Sequence, residues 1–228
     1  MPAMPLYIPV TFVLATFVAV WLFYRATRSK AALIVLAGWL ALQGAVAATG
    51  FYTVTNTLPP RFLLLVLPPL LTILLIFLTK QGRAWMDTFS DSRLTWLHVV
   101  RVPVELVLYW LCLQQLVPQL MTFEGRNPDI LSGLTAPLVA IFGYMRHRLP
   151  KSVLLAWNFI CLALLLNIVI HAILSAPTPF QQLAFDQPNR GVLYFPFVWL
   201  PGCIVPLVLF SHLAVIRRLL AQGSGPAL

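Results

Sequence analysis

The chain has 228 residues, 60% hydrophobic and 9% charged, with a net charge of +9. A mean hydropathy of +0.89 excludes an ordinary water-soluble domain. The basic residues gather at the ends of apolar runs instead of among exposed aromatics, a pattern that excludes a nucleic-acid surface and reads as membrane orientation.

Seven apolar segments are expected as transmembrane helices of an all-α polytopic membrane protein, near 7–24, 31–54, 62–79, 94–117, 132–145, 152–174 and 192–215. The first has no basic run before it and reads as a retained helix, not a cleaved leader. The second carries Ala37, Ala41, Ala45 and Thr49 at four-residue spacing, a ladder expected to pack against a neighbouring helix. Pro68 and Pro69 lie in the third, and Pro137 lies in the short fifth. Pro196, Pro201 and Pro206 lie in the seventh, so several helices are expected to be kinked. The tail at 222–228 is expected to be disordered.

Charge sets the orientation. Arg25, Arg28, Lys30, Lys80, Arg83, Arg93, Arg146, Arg148, Lys151, Arg217 and Arg218 fall on one side of the seven segments. Arg61, Arg126 and Arg190 fall on the other, and the alternation holds at every loop. The N-terminus is therefore expected outside and the C-terminus in the cytoplasm, in a bacterial inner (plasma) membrane.

The fourth segment holds the strongest chemical signal. His98, Arg101, Glu105 and Tyr109 fall within roughly an 80° arc of one helix. Each ionisable group in a bilayer costs at least about 2.5 kcal/mol, so the stripe is a functional candidate. Arg101 and Glu105 are four residues apart and can pair along the helix, with Pro103 expected to kink it between them. Gln43 and Asn167 are expected at the depth of Glu105. Cys112, Cys161 and Cys203 lie in apolar runs and read as small buried hydrophobes.

Distance from the cytoplasmic charges sorts the histidines. His98 lies five residues past Arg93, and His212 five residues before Arg217, which gives them a common depth about 8 Å in. His171 belongs near the outer end of the sixth segment. The outer loops carry Glu124, Arg126 and Asp129, then Asp186 and Arg190, and with His171 these are expected to form an outer vestibule. The seven-segment plan is similar to that of microbial rhodopsins, but Lys30, Lys80 and Lys151 all sit at loop positions and none could hold retinal in the last helix.

These residues suggest a carrier or channel for a small polar or anionic solute, proton-coupled through His98, Arg101 and Glu105. An alternative is a redox protein or enzyme with b-type haem or a metal ion on His98 and His212. Another is a non-catalytic sensor or subunit, with a homo-oligomer or a membrane complex as partner. No catalytic constellation is evident.

Overall fold

A computed structural model describes residues 4–221, and the expectation for the 222–228 tail lies outside them. Helices make up most of the described chain, with no strand among the described residues. The helices are α1 (Tyr7–Thr27), α2 (Lys30–Ala48), α3 (Leu63–Leu78), α4 (Lys80–Asp87) and α5 (Asp91–Leu97). They continue with α6 (Arg101–Leu113), α7 (Ile130–Leu138), α8 (Lys151–Leu174) and α9 (Val205–Ala221). Five units are long and apolar enough to cross a membrane: α1, α2, Asp91–Leu113, α8 and Leu200–Ala221. Counting α3 and α4 as one span, bent by 89°, makes a sixth.

Apolar side chains cover much of the outside, while polar ones collect within. Leu64, Leu71, Leu74, Leu75 and Leu78 of α3 are exposed. His98, Arg101, Glu105, Asn127, Asp129, Asn158 and His212 are all buried. In water this arrangement would leave a large apolar patch exposed.

Several elements differ from the sequence reading. The second helix stops at Ala48, short of the expected residue 54, and a 3-10 turn at Phe51–Thr53 follows. Its small-residue ladder faces outward: Ala37, Ala41, Ala45 and Thr49 are exposed, while Leu40, Gln43, Gly44 and Ala47 form the buried side. Close packing comes from other glycines. A Cβ on Gly44 would lie 3.2 Å from the Phe195 ring, and one on Gly202 would lie 2.6 Å from Leu65. The stretch after α3, expected as loop, forms α4, capped by the Thr79 side chain accepting from the Gly82 amide.

Prolines mark the breaks. Pro103 cannot accommodate a helical carbonyl at Val99, and the 3-10 turn His98–Val100 joins α5 to α6 there. Pro137 precedes a π-helical run, Val139–Met145, that continues α7. The last helix does not begin near 192. Gly191–Leu193 is a 3-10 turn, Tyr194–Trp199 is irregular, and a π turn at Leu200–Ile204 leads into α9. Phe197, Val198 and Trp199 are buried in that irregular stretch, so its apolar character does not mark a helix.

The connection from α6 to α7 positions the site. It leaves α6 at Leu113, makes a 3-10 turn at Gln119–Met121 and then runs inward as irregular chain. Thr122, Asn127 and Asp129 on this stretch are buried. Gly133, one turn into α7, sits against α6: a Cβ there would lie 2.8 Å from Val102 Cγ2 and 3.0 Å from Val102 N. α7 therefore begins beside Arg101, well inside the bundle.

Candidate functional site

Arg101 is the centre of a buried polar network, and its partner is Asp129, not Glu105. The guanidinium grips the carboxylate in a fork: Nε donates to Oδ2 at 2.6 Å and Nη2 donates to Oδ1. Nη2 also donates to the Cys161 carbonyl at 3.2 Å. The expected pairing along α6 is thus replaced by a pairing across to the start of α7. A fork to one carboxylate satisfies the planar guanidinium better than an i,i+4 contact with arginine on the N-terminal side.

The network extends from Arg101 in two directions. Nη1 lies 3.1 Å from Nε2 of His212, whose Nδ1 lies 3.0 Å from Oδ1 of Asn158. Asn158 Nδ2 donates to the Leu154 carbonyl at 2.9 Å. These contacts fix the proton positions. A carbonyl only accepts, so Asn158 turns its amide toward Leu154 and its oxygen toward His212. His212 must then carry its proton on Nδ1, and Nε2 accepts from arginine, which has no acceptor of its own.

On the other side, the Asp129 amide donates to Asn127 Oδ1 at 3.3 Å. Asn127 Nδ2 reaches the two Glu105 oxygens at 2.8 and 2.7 Å and the Met121 carbonyl at 3.1 Å. Four helical residues separate Arg101 from Glu105, a rise of about 6 Å. Asn127 and Asp129 reach the two groups from the turn that opens α7, with Asp129 itself in the right-handed helical region.

His98 and His212, expected only to share a depth, meet. Their rings stack, with centroids 3.9 Å apart and planes 17° from parallel. Trp157 packs against both, at 5.6 and 5.8 Å. Neither nitrogen of His98 has a hydrogen-bond partner among the described residues. The stack does not fit the haem reading. Axial ligands address the iron through a nitrogen from opposite faces of the porphyrin, and rings stacked at this distance leave no plane for it. Among the described residues no three His, Cys, Asp or Glu side chains come together to hold a metal ion.

Beside the network is a cavity of about 110 Å³. Its polar lining is Arg101, Glu105, Asp129 and Asn189; the rest is apolar, chiefly from α6, α8, the π turn and α9, with Phe62 and Val66 near the start of α3. Asn189 is buried, and its Oδ1 has no partner among the described residues, while its Nδ2 donates to the Ala172 carbonyl at 3.3 Å. A larger groove of about 610 Å³ lies between α2, α3 and the last helix, but no charged side chain lines it.

The remaining expected site residues lie elsewhere. Tyr109 packs on Phe123 with ring centroids 5.1 Å apart and does not line the cavity. Gln43 accepts from the Tyr52 hydroxyl in a separate cluster. Burial raises the Tyr52 phenol above its ordinary value, and the Gln43 bond opposes this. Asn167 donates to the Arg126 carbonyl at 2.8 Å, and His171 Nδ1 lies 2.8 Å from the Asn167 carbonyl, so both tie down the C-terminal end of α8. Glu124, Arg126, Asp186 and Arg190 are exposed on their loops and do not line the cavity. Asp129, expected beside them, is an interior residue instead.

Asn127 and Asn189 were not singled out by sequence reasoning. Asn127 and Asp129 stand two apart in a turn, a spacing that Glu124 and Arg126 share, so it does not mark them. Nothing marks Asn189 either.

A family described as a domain of unknown function, DUF8737, matches residues 58–220. The chain belongs to that family. The matched region contains the whole Arg101 network, the stacked histidines and Asn189, and it leaves out α1, α2 and the Gln43–Tyr52 pair. Neither the curated proteins nor the solved structures include a match to the chain.

Proposed function

We propose that this chain is a multi-pass membrane protein that crosses the bilayer seven times, N-terminus outside, and carries a small solute through the cavity beside Arg101, exchanging a proton at Glu105. The charge alternation supports seven crossings, with eleven basic residues to one side and three to the other. The short Ile130–Met145 helix is compatible with this count. In this reading the irregular stretch before it supplies the outer half of the fifth crossing. Non-helical backbone is tolerated at membrane depth where protein buries it, and Thr122, Asn127 and Asp129 are buried.

One observation carries the functional reading. Glu105 lines the cavity, and its hydrogen-bond partner is an amide, Asn127, because Arg101 is committed to Asp129. A carboxyl in an apolar wall without a paired cation must hold either a proton or a cation from outside. That alternation is what a proton-exchanging carrier needs. The Arg101–Asp129 fork is the fixed part of the site, and Glu105 is the part that changes state.

The test uses the protein in liposomes loaded with a pH-sensitive dye, challenged in turn with a small amine, a neutral alcohol and a carboxylate. Wild type moves protons in response to at least one of them, and Glu105→Gln does not. Equal proton movement by Glu105→Gln would remove the proposed role.

A further inference from the structure

We propose that the cavity takes a cationic ligand: a small molecule with an apolar body and one protonated amine, the ammonium lying between Glu105 and Asn189. This rests on reading the cavity as a solute site, and it replaces the polar or anionic solute expected from the sequence.

Charge gives the sign. The cavity wall holds one guanidinium and two carboxyl groups, and no lysine or histidine lines it. Asp129 and Arg101 are joined in a fork that consumes both. Arg101 spends a further hydrogen on Cys161 and one on His212, which leaves a single Nη1 hydrogen. An anion entering the cavity would therefore meet an arginine already neutralised, with Glu105 beside it. A cation meets an unpaired carboxyl.

Hydrogen bonding gives the same sign independently. Asn189 is 1% exposed and lines the cavity. One of its two amide hydrogens goes to the Ala172 carbonyl, and its acceptor Oδ1 has no partner among the described residues. A buried acceptor without a donor is costly, and a ligand N–H satisfies it. Glu105 and Asn189 together ask for donors, which an ammonium supplies in three directions.

Size and access set the remainder of the ligand. A cavity of about 110 Å³ is comparable with the roughly 150 Å³ engineered cavity that takes benzene, so the body is a ring or a short branched chain. Ile173 lines the cavity and is itself 50% exposed, so a single side chain separates the cavity from the apolar outer surface there. In a bilayer the neutral amine could arrive from the lipid side. It would then take the proton from the Glu105 carboxyl: the O–H bond breaks, an N–H bond forms, and an ammonium–carboxylate pair remains.

Benzylamine, benzyl alcohol and benzoate share a body and differ in charge, so calorimetric titration of the purified full chain in detergent tests the proposal. Benzylamine is expected to bind roughly tenfold more tightly than benzyl alcohol, the difference between a charge-assisted and a neutral hydrogen bond. Benzoate is expected not to bind. Glu105→Gln should erase the preference for the amine while leaving the alcohol bound. Equal binding of amine and alcohol by wild type, or preference for benzoate, would overturn the cationic assignment and leave the solute site standing. Binding of none of the three would remove the solute site and the assignment with it. The wild-type comparison decides the sign even if Glu105→Gln does not fold.

Discussion

Arg101 has two carboxyl groups in reach of its neighbourhood, and a double-mutant cycle identifies the one that stabilises it. Asp129→Leu leaves a guanidinium buried at 3% exposure without its counter-ion, and breaking a buried pair this way costs about 3–5 kcal/mol. Arg101→Met strands Asp129 and should cost a similar amount. The double variant Arg101→Met with Asp129→Leu removes both charges and keeps the volume, which is often near neutral for a buried pair. Its remaining cost is the donor lost at Nε2 of His212, about 1–3 kcal/mol. The coupling energy between positions 101 and 129 should then be at least about 3 kcal/mol, more than a hundredfold in the unfolding equilibrium. Positions 101 and 105 form no hydrogen bond or ion pair with each other and are linked only through Asp129 and Asn127, so their coupling should be smaller, about 1 kcal/mol. Unfolding in mixed micelles by dodecyl sulfate, followed by tryptophan fluorescence, reads every variant of the two cycles, and Trp157 reports on the histidine stack directly. A coupling of Arg101 with Glu105 equal to that with Asp129 would refute the fork and restore the pairing along α6.

The same titration separates the two histidines. His98→Phe keeps the stack and removes two nitrogens that have no partner, so stability should hold or rise by about 1 kcal/mol; His212→Phe should cost about 1–3 kcal/mol by orphaning Arg101 and Asn158. Gly133→Ala drives a Cβ into the Val102 backbone and should cost about 1–3 kcal/mol, whereas Gly38→Ala, with nothing within 4 Å, should gain about 0.5–1 kcal/mol. Burial holds the Tyr52 phenol above its ordinary 10.0, so its contribution is complete below that value and is lost as pH rises through the folded value. Tyr52→Phe should therefore blunt unfolding above about pH 10, and benzylamine binding at neutral pH should be unaffected, since Tyr52 does not line the cavity.

Long apolar runs were readable because a helix that faces lipid on one side and protein on the other has no need of polar residues. α1, α2 and α8 follow the hydropathy within a few residues, apart from the early stop of α2. The same logic fails at 191–199. Phe195, Phe197 and Trp199 are as apolar as any helical residue, yet prolines at 196 and 201 withhold two backbone donors and the chain stays irregular until Leu200. Hydropathy reports burial, and burial alone does not choose between helix and buried coil. The common depth of the histidines was readable for a different reason: counting residues from the basic ends gives depth, whereas which helices are neighbours, and so the contact itself, came only with the structure.

The partner of Arg101 was hidden by an assumption about loops. A run such as Glu124–Gly125–Arg126–Asn127–Pro128–Asp129 has the composition of a surface turn, and its first half is one: Glu124, Gly125 and Arg126 are exposed. At the next residue the chain turns inward: Asn127 bonds Glu105, and Asp129 bonds Arg101. Spacing alone does not pick out Asn127 and Asp129, since Glu124 and Arg126 of the same run are also two apart and are exposed. Asp129 is already in the right-handed helical region at the turn that opens α7, so one short turn serves both ends of the Arg101–Glu105 stripe. The deciding feature is tertiary: α7 begins beside Arg101, where Gly133 leaves room for the Val102 backbone, and hydropathy along the chain carries no record of that contact.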